Sequence, residues 1–321
     1  MYYLGIDLGG TNIAAGIVNE AYQLIAKKSV PTNANREAEA IIADMAKLCL
    51  DLLREQGLTT DDIVSAGIAS PGIADGQTGT VMYANNLPFY KTPICAMMAE
   101  QTKIKNFYLN NDANAAAWGE AVAGAAKGSN ISIMITLGTG VGGGIIINDQ
   151  IYSGFNAAGA ELGHIVIEHE GRPCSCGRKG CWEAYSSATA LINMTREKIE
   201  ACIASGRPSS MIAASDGGKK VSGRTAFTEM RNGDAAAAEV VDMYISYLAC
   251  GLVNIVNIFQ PEVISLGGGI SNERENLLNP LLKIISSQQY GAGTVPQTEI
   301  RIAQLGNDAG IIGAALLGMQ K

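Results

Sequence analysis

Positive charge is scarce in this 321-residue chain, where 23 lysines and arginines face 30 aspartates and glutamates for a net charge of −7. That balance argues against a broad basic face for nucleic acid. Long apolar runs are missing too. The longest, Ile245 to Phe259, is interrupted by Gly251, Asn254 and Asn257 and falls short of the ~20 residues a membrane span needs. It reads as a buried helix, and no membrane partner is expected. Met1 to Ile6 has the pattern of a strand, with neither a positive leader nor a cleavage site, so the expected location is the cytoplasm. No G-x-x-x-x-G-K-[ST] occurs, which excludes a P-loop. Seven cysteines cannot all pair; Cys49, Cys95, Cys202 and Cys250 lie in apolar, helical contexts and read as reduced core thiols.

What is abundant is glycine, at 38 residues, and glycine marks places where the backbone needs unusual dihedrals or close contact with a ligand. The length suggests about two domains. Strand patterns at Tyr2–Asp7, Asn12–Val18 and Leu24–Val30 are followed by helical spacing from Asn35 to Gln56 and a short strand, Ile63–Ala69. Helical patterns follow at Pro93 to Thr102 and Ala113 to Ala126, with a strand at Asn106–Leu109 between them. Then the opening recurs: apolar Ile131 to Leu137, a glycine turn from Gly138 to Gly144, and a strand resuming at Ile145. Two such units suggest an internal duplication. A long helix from Ala235 to Phe259, a strand Val263–Leu266 and a closing helix Ala309 to Met319 complete an alternating α/β pattern. The expected seams put 1–112 plus 306–321 in a smaller domain and 113–305 in a larger one.

Asp7-Leu8-Gly9-Gly10-Thr11-Asn12 places two glycines, a hydroxyl and a carboxylate at a hairpin tip. Such turns let backbone N–H groups converge on phosphate oxygens, and Asp7 makes sense facing Mg²⁺ or its water. Gly138, Gly140 and Gly143 spell a formal G-x-G-x-x-G, but a dinucleotide loop must open a helix and this one leads into a strand. A nicotinamide dehydrogenase is therefore disfavoured. Two hairpin loops pinching a polyphosphate is the plan of actin-like and hexokinase-like phosphotransferases, with a cleft between two domains. Gly267, Gly268 and Gly269, before Ile270-Ser271, allow the backbone to approach a flat purine.

Asp112 sits where a strand ends and an alanine-rich helix begins. It reads both as a helix N-cap and as a carboxylate able to accept the proton of an attacking hydroxyl. His164, Cys174, Cys176 and Cys181 bring one imidazole and three thiols within 18 residues, a set suited to tetrahedral, structural Zn²⁺, with His169 competing for the fourth place. Glu161 and Glu183 flank the cluster and are suited to vicinal sugar hydroxyls.

These segments together, above all Glu161-Leu162-Gly163-His164 and Cys174-Ser175-Cys176-Gly177-Arg178-Lys179-Gly180-Cys181-Trp182-Glu183, resemble the ROK family of repressors and sugar kinases, particularly its bacterial glucokinases. The resemblance covers essentially the whole chain. It implies an actin-like (ribonuclease H-like) ATPase fold and an ATP-dependent kinase acting on the 6-hydroxyl of a hexose, glucose foremost. N-acetylmannosamine, N-acetylglucosamine and fructose are the alternative substrates, and a non-catalytic sugar sensor the alternative class. It further implies Asp112 as catalytic base, zinc on His164 rather than His169, and a sugar pocket of Asn86, Asn111, Asp112, Glu161, His164 and Glu183. ATP with Mg²⁺ would use Asp7, Gly9, Gly10, Thr11 and Asn12, then Gly138, Thr139 and Gly140, with its base near Gly267 to Gly269. A homodimer or homotetramer is the family habit. Many relatives have Trp shortly after the Asn86 position, where this chain has Phe89-Tyr90, and the repressors' leading helix-turn-helix is not expected in a chain that opens on a strand.

Overall fold

A computed structural model describes residues 1–320. Its strands are β1 (Tyr2–Leu8), β2 (Asn12–Asn19), β3 (Leu24–Pro31), β4 (Ile63–Ser70), β5 (Ile73–Asp75), β6 (Thr80–Tyr83), β7 (Tyr90–Thr92), β8 (Phe107–Asn111), β9 (Ile131–Leu137), β10 (Val141–Ile147), β11 (Gln150–Ile151), β12 (Val263–Gly267) and β13 (Glu299–Ile302). The helices are α1 (Ala38–Glu55), α2 (Ile94–Thr102), α3 (Asp112–Ala123), α4 (Glu183–Ser186), α5 (Ala188–Ser205), α6 (Ser210–Ala214), α7 (Thr225–Arg231), α8 (Ala235–Phe259), α9 (Glu275–Gln288) and α10 (Ala309–Ala315).

Two five-stranded sheets have the orders β3-β2-β1-β4-β8 and β11-β10-β9-β12-β13. Numbered within each sheet, both read third, second, first, fourth, fifth, which is the repeat that the paired glycine turns announce. Strands β5 to β7 make a small separate sheet that no sequence pattern had suggested. The chain separates into two compact units, one of residues 1–134, 143–160 and 303–321, the other of 135–142 and 161–302.

In the first unit, Leu4, Ile6, Leu8, Ile13 and Ile17 of β1 and β2 are buried with Ile41, Met45, Leu48 and Leu52 of α1. These α1 residues recur at helical spacing, so one helix face closes one sheet face. Helix α10 returns to β1 and α3. Its approach is close: a Cβ on Gly5 would lie 1.9 Å from the Ile311 carbonyl oxygen, so only glycine admits the helix there. Trp118 of α3 donates its indole N–H to the Leu316 carbonyl at 2.8 Å.

The sequence places a turn across Gly138 to Gly144, but β10 already begins at Val141. Gly144 serves packing instead: a Cβ on it would come within 2.5 Å of the Ala117 methyl group of α3. The turn proper is Gly138 to Gly140.

In the second unit, α8 buries Val240, Val241, Tyr244, Leu248, Leu252 and Val256. The helix begins ten residues before the apolar run read from sequence, and at 25 residues it is, by length and composition, apolar enough to cross a membrane. Most of one face is nevertheless core. Gly251 of α8 lies under the Trp182 ring, where a Cβ would meet the indole at 2.1 Å, and Trp182 Nε1 donates to the Tyr247 carbonyl at 3.1 Å. That contact fixes the residue between Cys181 and Glu183.

Candidate active site

In the first unit, β1 ends and β2 begins around the Gly9-Gly10-Thr11 turn. Gly9 N–H donates to the Asn12 carbonyl at 3.0 Å. Buried Thr32 closes the turn from beneath, donating its hydroxyl to the Gly9 carbonyl at 2.7 Å and its N–H to the Thr11 carbonyl at 2.9 Å. Asn86 is exposed beside the turn; a Cβ on Gly10 would sit 3.5 Å from that of Asn86.

Asp112 follows β8 and opens α3, and the structure resolves its two readings. The N-cap is Asn111, whose side-chain oxygen accepts from the N–H groups of Ala113 (2.9 Å) and Asn114 (3.3 Å). Capping by the neighbour leaves Asp112 at the first helical position, where its Oδ1 accepts from Ala113 N–H at 2.8 Å. Asn111 also donates to the Gly72 carbonyl at 3.1 Å. Asp112 borders solvent but is crowded by protein, and that desolvation raises its pKa against the pull of the Ala113 N–H. Asp7 is pushed up to about 6, first by burial and then by the charge of Asp112, with Lys27 opposing. The two carboxylates repel one another while both are partly desolvated.

In the second unit, the Gly138-Thr139-Gly140 turn is tied down by α5 and by Glu183. Ala188 N–H donates to the Gly138 carbonyl and the Thr189 hydroxyl to the Thr139 carbonyl, both at 2.8 Å. Glu183 Oε2 accepts from Val141 N–H at 3.0 Å, and Oε1 accepts from the Ser175 hydroxyl at 3.2 Å. A cavity of about 650 Å³ opens here, lined by Thr139, Gly140, Cys174, Ser175, Glu183 and Thr189 among others. A cavity of about 640 Å³ in the first unit reaches Asn110 but none of the expected site residues. Gly267 ends β12, and Gly268, at φ 83°, packs so closely on Leu137 that a Cβ would stand 2.5 Å from its backbone.

His164 closes a short 3₁₀ turn, Leu162–His164, that Glu161 precedes; Glu161 is exposed. The candidate ligand atoms of His164, Cys174, Cys176 and Cys181 all lie within 4.8 Å of one another. Cys176 Sγ is 3.6 Å from Cys181 Sγ, and Cys174 Sγ is 3.6 Å from His164 Nδ1. Tetrahedral zinc, with Zn–S of about 2.3 Å and Zn–N of about 2.05 Å, sets those edges at about 3.8 and 3.6 Å. The donor set therefore fits the ion. His169 is outside the cluster. Nδ1 faces the thiols, which leaves Nε2 for another partner. Among the described residues, every cysteine is a free thiol.

Residues 3–321 match the sequence profile of the ROK family. The chain belongs to the ROK family. It is 34% identical to a glucokinase of Halalkalibacterium halodurans over 325 residues, covering all of this chain and 96% of that one. It is 30% identical to an N-acetyl-D-glucosamine kinase of Aliivibrio fischeri over 330 residues, with both chains covered in full. Among solved structures, the ROK family glucokinase of Streptomyces griseus, in complex with glucose and AMPPNP, superposes with a TM-score of 0.79 at 33% identity, both chains again covered in full. The actin-like ATPase fold of ROK sugar kinases is thus the fold of this chain. Sequence reasoning passed over Thr32, Ser175 and Thr189, which hold the site residues in place. Thr32 lies 21 positions beyond Thr11, and no local motif announces it.

Proposed function

We propose that this ROK protein is an ATP-dependent glucokinase that transfers the γ-phosphoryl group to the 6-hydroxyl of glucose. The observation that carries the reading is Asp112: a carboxylate at the carboxyl end of β8, relieved of capping by Asn111 and raised in pKa by desolvation. Such a group suits a general base for an alcohol. It accepts the hydroxyl proton as O6 attacks the γ-phosphorus in line; the P–O bond to the β-phosphate breaks and ADP leaves.

The remaining sites follow the same reading. Gly9 to Asn12 and Gly138 to Gly140 receive the phosphates, and Gly267 to Gly269 lie by the base. Asn86, Asn111, Glu161, His164 and Glu183 contact the sugar. Asp7 would hold Mg²⁺, directly or through water; the ion supplies neutralising charge to the phosphate oxygens. Zinc on His164, Cys174, Cys176 and Cys181 would be structural, bracing the sugar-contacting side chains. We further propose a homodimer or homotetramer, and seams at residues 112 and 306.

The test is ADP release coupled to a panel of hexoses and hexosamines. Glucose should have the highest kcat/KM. Highest turnover with N-acetylglucosamine or N-acetylmannosamine moves the substrate within the family, and no sugar-dependent ADP release from intact protein leaves only a sensor.

A further inference from the structure

We infer that Thr32 and Thr189 are positioning residues for the nucleotide's phosphates, each fixing a peptide plane of one glycine turn so that its N–H donor faces an anion. This rests on the reading of the two turns as phosphate grips.

In a trans peptide the carbonyl of one residue points opposite to the N–H of the next. Whatever holds a carbonyl therefore aims an amide. In the second unit all three turn carbonyls are held: Gly138 by Ala188 N–H, Thr139 by the Thr189 hydroxyl, and Gly140 by Gly138 N–H. The amides aimed the other way belong to Thr139, Gly140 and Val141. The last of these is taken by Glu183, whereas the N–H groups of Thr139 and Gly140 have no partner among the described residues. Thr139, Gly140 and Thr189 line the same cavity. Two successive unpaired amides beside a cavity form an anion nest, and glycine flanks let the planes lie this way without strain.

The first unit repeats the device with one residue. Thr32, buried completely, gives its hydroxyl to Gly9 and its N–H to Thr11, while Arg36 donates to its carbonyl at 2.9 Å. The N–H groups of Gly10 and Thr11 are left without partners among the described residues. Without a clamp, the peptide between residues 139 and 140, or between 9 and 10, is free to flip. A flip replaces a donor by a carbonyl oxygen that repels phosphate.

The experiment compares Thr→Val, which keeps the shape and deletes the hydroxyl, with Thr→Ser, which keeps the donor. ADP with Mg²⁺ is titrated calorimetrically into wild-type protein and into T189V, T189S, T32V and T32S; glucose is titrated separately. T189V should bind ADP about tenfold more weakly, the scale of one lost hydrogen bond, with glucose affinity within about threefold of wild type; T189S should retain most of the affinity. T32V should behave like T189V where its melting curve shows a folded protein, and the exposed Thr189 tests the claim independently if T32V does not fold. Equal ADP affinity in T189V and wild type, T189S as weak as T189V, or no ADP binding by wild type overturns the inference. Wild type that binds ADP with this pattern yet phosphorylates no sugar sinks the kinase reading and leaves the clamp standing.

Discussion

The Glu183 carboxylate accepts the Val141 N–H at 3.0 Å, and Gly140 is glycine at the point where that carboxylate passes: a Cβ there would stand 2.3 Å from Oε2. One side chain thus touches both the glycine turn and, through Ser175, the cysteine loop. The obstacle a methyl group would meet is the end of a flexible side chain, so Gly140→Ala should fold. We expect a melting temperature within about 3 °C of wild type, because the backbone need not move. Activity should fall about tenfold, as expected for displacing one charge-assisted hydrogen bond. Calorimetry and steady-state kinetics on the same preparation separate the two effects.

Metal analysis should find about one zinc per chain. Stripping it with a chelator should lower glucose affinity by at least ~10-fold, the usual scale when support for a ligand-contacting group is lost. Full glucose affinity in metal-free protein would remove the bracing role.

Asp7 sets a stability cost that depends on pH. Its folded pKa of about 6 exceeds the ordinary value of 3.8, so the native state holds this proton more tightly than the unfolded chain does. Stability from this group is therefore full below about pH 4 and is lost as pH rises through about 6. Two pH units correspond to about 3 kcal/mol. In Mg²⁺-free buffer, Asp7→Asn should be more stable than wild type at pH 8, the difference closing below pH 4, while phosphotransfer is lost.

Asp234 shows the opposite sign. Burial would raise it, but the hydroxyl of Ser209 and the N–H groups of Ala237, Ala236 and Met211 hold it at about 2. It caps α8 through Ala236 and Ala237. Its contribution is present above pH 4 and is lost as pH falls through 2. Asp234→Ala should cost about 1–2 kcal/mol at neutral pH, and denaturant titrations should show the gap to wild type narrowing between pH 4 and pH 2.

The zinc set was legible because its ligands lie within 18 residues and their chemistry is specific. Helix α8 was legible because apolar residues recur at helical spacing despite Gly251, Asn254 and Asn257. The duplicated sheet was legible from two glycine turns. Periodicity failed past Gly140, where β10 begins at Val141 and Gly144 serves close packing on α3. It also put the α3 cap at Asp112, whereas Asn111 caps the helix; both side chains can do so and only tertiary geometry decides. Thr32 and Thr189 were invisible because each acts on a turn 21 or 50 residues away.

Replacing Asp112 by Asn and measuring kcat with glucose and ATP tests the account most directly, since the amide keeps the shape and loses the proton acceptor. The account predicts that kcat falls at least ~10²-fold while the protein stays folded, with a melting temperature no lower than that of wild type. Turnover within a fewfold of wild type would contradict it.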